Sequence, residues 1–79
     1  MSDETWMKDG GRHLKLRRVA LDMTLAEVGA AAGKSASTIS RYERGELSPL
    51  GPAIPALASA LQVESLTALY MRGEVEEVS

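Results

Sequence analysis

The chain has 79 residues, 44% of them hydrophobic, and no cysteine. That length makes one small domain, and the missing thiols exclude disulfide staples and thiolate metal sites. No apolar run approaches the roughly 20 residues of a membrane span, and no signal-peptide pattern is present, so a cytoplasmic protein is expected.

The formal net charge of −2 argues against a nucleic-acid partner when taken whole. Its distribution reverses that impression. Residues 8–44 hold eight basic side chains (Lys8, Arg12, Lys15, Arg17, Arg18, Lys34, Arg41, Arg44) against four acidic ones, a local +4. Residues 45–79 hold Arg72 against five glutamates, a local −4, and residues 1–7 add −2. A positive segment on an acidic chain is either an electrostatic footprint or a merely solvated surface.

Residues 1–11 read as a flexible arm, separated from the rest of the chain by a break at Gly10 and Gly11. Trp6 and Met7 on this arm either cover an edge of the core or belong to a partner surface. A first helix is predicted over 12–22, with apolar Leu14, Leu16, Val19, Ala20 and Leu21. They form no single stripe, because Leu16 and Val19 point away from Leu14 and Leu21.

Residues 24–45 are the most informative stretch. Thr24 is a good N-cap, and Glu27, three places on, completes a capping box. The alanine-rich run beyond it favours a helix over Leu25–Ala32, and Gly33 supplies the positive φ of a helix end. Ser35 or Ser37 can cap the next helix, at about 35–44, which Gly45 closes. Val28, Gly29 and Ala32 share one face of the first of these helices, and Ile39 and Tyr42 one face of the second. The small residue at 29 permits a close approach, and Ile39 is placed to fill the wedge. That is helix-turn-helix spacing.

Residues 46–52 read as a loop by their proline and glycine content. A fourth helix is predicted over about 53–61, with Ile54, Leu57, Ala58 and Leu61 inward. Pro52 and Pro55 suit its opening, where a missing amide hydrogen is harmless. A fifth helix is predicted over about 64–71, with Leu66, Leu69, Tyr70 and Met71 as apolar positions and Gly73 as its stop. Residues 74–79 form an acidic tail. The fold class expected is an all-α, compact five-helix bundle with a helix-turn-helix domain over 12–73.

Little in the chain suggests an enzyme. His13 is the single histidine, with no paired acid or nucleophile spaced around it, and reads as a surface residue or phosphate contact. Gly10 and Gly11 are too short for a phosphate-binding loop. No catalytic, cofactor, metal or small-molecule site is expected.

Thr24-Leu25-Ala26-Glu27, Gly33-Lys34-Ser35 and the run from Ser37 through Arg41-Tyr42-Glu43-Arg44-Gly45 resemble the phage-repressor/Cro-like (XRE) family. The likeness continues through Leu57-Ala58 and Ala60-Leu61-Gln62-Val63 and covers roughly 12–72. It implies a lambda repressor-like fold and a transcriptional regulator, by default a repressor, that binds double-stranded DNA. The third helix would read the major groove through Ala36, Ser37, Ser40 and Arg41, with Arg41 taking guanine or, alternatively, a phosphate. Thr24, Leu25, Lys34, Ser35, Thr38 and Arg44 would contact phosphates. Arg18 would pair with Glu43 as a structural clamp.

Three departures from the family stand out. Arg17 replaces a frequent aliphatic residue, Leu25 replaces a frequent polar one, and Glu46 lies where some phage repressors are basic. The family's habit also implies a homodimer on a palindromic operator, with Leu47, Leu50, Ile54, Leu66, Tyr70 and Met71 as interface candidates or core. The alternative is a protein-interaction, antitoxin-like or restriction-controller module on the same fold.

Overall fold

In the computed structural model, five helices account for the regular structure of residues 3–72, the residues the structure describes; for 3–9 and 70–72 it describes the backbone alone. They are α1 (Asp3–Ala20), α2 (Leu25–Ala32), α3 (Ala36–Glu43), α4 (Ala53–Ala60) and α5 (Leu66–Arg72). The helix α1 packs on α3 and α5, α2 packs on α3 and α4, and α4 meets α5. Leu14, Val28, Ile39, Tyr42, Leu57, Leu61, Leu66 and Leu69 are buried where the helices meet. Among the described residues no helix is long and apolar enough to cross a membrane.

The first helix starts at Asp3 rather than at residue 12, so the expected break at Gly10 and Gly11 is helical instead. The reason is tertiary. Both glycines are buried, and a Cβ on Gly11 would lie 2.6 Å from the Tyr42 carbonyl oxygen and 2.7 Å from that of Glu43. Glycine costs a helix about 1 kcal/mol against alanine, but here it lets α1 approach the backbone of α3. The side chains of Trp6, Tyr70 and Met71, and the tail at 74–79, lie outside the described residues.

Four helices end on one device, a left-handed residue followed by an amide reaching five residues back. Asp22 (φ 59°), Gly33 (74°), Gly45 (75°) and Gln62 (57°) take the left-handed place. Met23, Lys34, Glu46 and Val63 then donate to the carbonyls of Arg18, Gly29, Arg41 and Ala58. Arg17 secures the end of α4. Its Nε donates to the Leu61 carbonyl at 2.9 Å and a terminal nitrogen to that of Gln62 at 3.1 Å. A cation at a helix C-terminus also complements the helix dipole, so the departure at 17 clamps α1 to α4 instead of filling the core.

One inward assignment is corrected. Ile54 is 41% exposed. Ala53, Leu57, Ala58, Ala60 and Leu61 are buried. Ile54 shares the helical face of Leu57, Ala58 and Leu61 at spacings of three, four and seven, but it stands in the first turn of α4 and outside the core cluster. Leu16 and Val19 are exposed on α1, as their spacing from Leu14 requires.

Candidate nucleic-acid interface

The turn between α2 and α3 is built locally. Thr24 Oγ1 accepts from the Glu27 amide at 3.0 Å while Glu27 Oε1 accepts from the Thr24 amide at 2.8 Å. These bonds satisfy two of the four free amides at the start of α2 and leave those of Leu25 and Ala26 for an outside acceptor. Gly33 turns the chain in the left-handed region. Gly29 admits the turn itself, since a Cβ there would stand 2.5 Å from the Lys34 carbonyl oxygen. The choice between the two candidate caps falls on Ser35. Its Oγ accepts from the Thr38 amide at 3.1 Å and donates to Thr38 Oγ1 at 3.0 Å.

One face of α3 is anchored. Ile39 and Tyr42 are buried, and Glu43 is bound to α1. Arg18 Nε donates to Glu43 Oε2 at 2.6 Å and a second nitrogen to Oε1 at 3.2 Å, a bidentate pair. The third guanidinium nitrogen donates to the Met23 carbonyl at 3.0 Å, in the loop before α2. One arginine thus ties α1, the entry to α2 and the end of α3 together.

The opposite face is open. Ser37, Arg41 and Arg44 are exposed, and spacings of four and three put them on one stripe. Ala36 and Ser40 are half-buried beside it. Lys34 and Ser35 are exposed at its N-terminal end, and Thr38 is half-buried against Ser35. Thr24 and Leu25 stand at the far end of α2, about 12 Å from the turn at 1.5 Å per residue. Thr24 is exposed, while Leu25 is half-buried and packs on the core.

His13 is half-buried, and its Nδ1 is enclosed with no hydrogen-bond partner among the described residues. Neither the surface role nor a phosphate contact suits that atom.

One residue of the site escaped the sequence reading in its contacts. Glu46 Oε1 lies 3.2 Å from a terminal nitrogen of Arg44 and 3.9 Å from Arg41 Nε. The signal was present in Gly45, because a left-handed glycine after a helix folds the next residue back over the last turn. The exposed charge of the stripe and its N-terminal end is therefore three cations, Lys34, Arg41 and Arg44, with the carboxylate of Glu46 beside the last two.

A family model described as a helix-turn-helix domain matches residues 11–74. The P22 c2 repressor, solved in complex with a synthetic operator, superposes with a TM-score of 0.72 at 32% identity, over 82% of this chain and 96% of the other. The solution structure of the DNA-binding domain of the same P22 repressor gives 0.75 at 31% identity, covering 89% and 90%. The restriction-modification controller protein C.AhdI from Aeromonas hydrophila gives 0.70 at 26% identity, covering 73% and 88%. No curated protein sequence matches the chain.

Proposed function

The chain belongs to the helix-turn-helix domain family, of the phage-repressor type, and on that premise we propose that it binds double-stranded DNA sequence-specifically and represses transcription by occluding its site. The exposed stripe of Ser37, Arg41 and Arg44, opposite the buried Ile39 and Tyr42, carries the proposal. It spans about 10 Å of helix, which suits a major groove about 12 Å wide. Arg41 takes guanine through O6 and N7, and Ser37 bonds the neighbouring base. Ala36 and Ser40 line the edge of the contact.

Around this centre the phosphates are held by Lys34, Ser35, Thr38 and Arg44, and at the start of α2 by the Thr24 hydroxyl and the free amide of Leu25. The Glu27 carboxylate in the capping box reduces the pull of that helix end on an anion. Short side chains at 36, 37 and 40 leave few direct base bonds, so shape and bridging water share in the specificity. The module is the domain of residues 12–73, which the family match over 11–74 supports, followed by an acidic tail at 74–79.

A protein with so few base contacts needs two copies on one operator. Leu47, Leu50 and Ile54 are exposed between the end of α3 and the first turn of α4, whereas Leu66 belongs to the core. These three form the homodimer contact, which sets a palindromic operator with half-sites one turn apart. The likeness to C.AhdI favours a second reading, a controller-type module on the same fold.

The test is selection from a randomised duplex pool at two salt concentrations, with sequencing of the retained DNA. An enriched palindrome with salt-sensitive binding supports the proposal. A folded protein that retains no duplex at low salt overturns it and leaves a protein partner as the function.

A further inference from the structure

The chain after α3 turns back through Gly45 (φ 75°), and the Glu46 amide donates to the Arg41 carbonyl at 2.9 Å. That bond fixes Glu46 against the last turn of α3. Its carboxylate lies between two guanidiniums, 3.2 Å from Arg44 and 3.9 Å from Arg41 Nε. The first is a hydrogen bond and the second an ion-pair distance. All three side chains are about half exposed, so the arrangement faces the same solvent as the stripe.

We propose that Glu46 sets the discrimination between a specific site and random DNA. The proposal rests on DNA binding through the α3 stripe. The position of the carboxylate has two effects. It offsets the charge of Arg44 and repels any phosphate near the end of α3, which weakens binding to every sequence. It also approaches Arg41 on the Nε side, which leaves the two terminal nitrogens free to face a guanine edge. On random duplex only the repulsion operates. On the specific site the orientation of Arg41 compensates for part of it. Glu46 is therefore a positioning residue that lowers background affinity more than it lowers affinity for the operator.

Glu46→Gln removes the charge and keeps the size. The full chain and this variant are compared by fluorescence anisotropy on the selected palindrome and on a scrambled duplex of equal length, over a salt series. Circular dichroism melts check that both are folded. The variant is expected to bind the scrambled duplex about fivefold more tightly at low salt. Its slope of log affinity against log salt on that duplex steepens by about one. Affinity for the palindrome changes by less than about twofold, so the specificity ratio falls. Parallel gains on both duplexes, or no gain on the scrambled one, overturn the proposal while leaving the DNA reading intact. A wild-type protein that binds neither duplex overturns the DNA reading, and the proposal with it.

Discussion

Arg18 and Arg41 carry the same guanidinium in opposite surroundings. The Arg18 side chain is 13% exposed and its partner Glu43 is 7% exposed, so the pair is largely withdrawn from water. Arg18→Ala leaves the Glu43 carboxylate buried without its cation and frees the Met23 carbonyl. Such losses cost about 2–3 kcal/mol, and in a domain this small that lowers the melting temperature by about 10 °C or more. A thermal unfolding curve that superposes on the wild type would show that the clamp does not hold α1 to α3. Arg41 is half exposed, and its substitution moves the opposite observable. Arg41→Ala keeps the melting temperature within about 2 °C and loses about 1–3 kcal/mol of discrimination between the selected site and a mismatched one. Equal discrimination in the variant assigns Arg41 to a phosphate.

At the scale of the helices, stability rests on close approach and on ends more than on a large apolar core. The core has no phenylalanine to draw on, and four of its buried side chains are alanines, at 32, 53, 58 and 60. Glycine at 11 belongs to the same economy, since it brings α1 onto the carbonyls of Tyr42 and Glu43. Gly11→Ala improves helix propensity by about 1 kcal/mol, but its methyl meets main-chain oxygens that cannot rotate aside. Overpacking of that kind costs about 1–3 kcal/mol, and the upper part of the range applies against backbone. The variant is expected to be less stable by about 2 kcal/mol in urea unfolding. A variant more stable than the wild type would mean that the crossing of α1 over α3 is wider than the contacts indicate.

For the whole molecule the decisive question is what covers Leu47, Leu50 and Ile54. Leu50 is 75% exposed, a poor position for a leucine that stays in water in every state of the protein. Leu50→Glu places a charge at the centre of the proposed contact and touches neither the core nor the stripe on α3. It is expected to weaken binding to the palindrome by at least about tenfold while leaving a single half-site unaffected, because only the palindrome engages both copies. Unchanged affinity on the palindrome would move the contact elsewhere, to the exposed Leu16 and Val19 of α1 or to the acidic tail.

The short-range features follow from the order of residues alone. The capping box at Thr24 and Glu27, the left-handed turn at Gly33, the buried pair Ile39 and Tyr42 and the outward face at Ser37 and Arg41 depend on residues within four places of each other. Local propensity and helical period reach that far. The family likeness extended the reach to Arg18 and Glu43, twenty-five residues apart, which no periodicity connects. Tertiary structure alone decided what packing decides. Gly10 and Gly11 look like a break, and they are helical, with α3 lying against Gly11. Arg17 looks like a surface cation, and it closes the end of α4 forty-four residues away. Of the eight basic residues counted between 8 and 44, Arg17 and Arg18 are turned to internal partners and Glu46 folds back onto Arg41 and Arg44. A sum over the sequence counts charges, whereas the field a partner meets depends on which of them the fold has already paired.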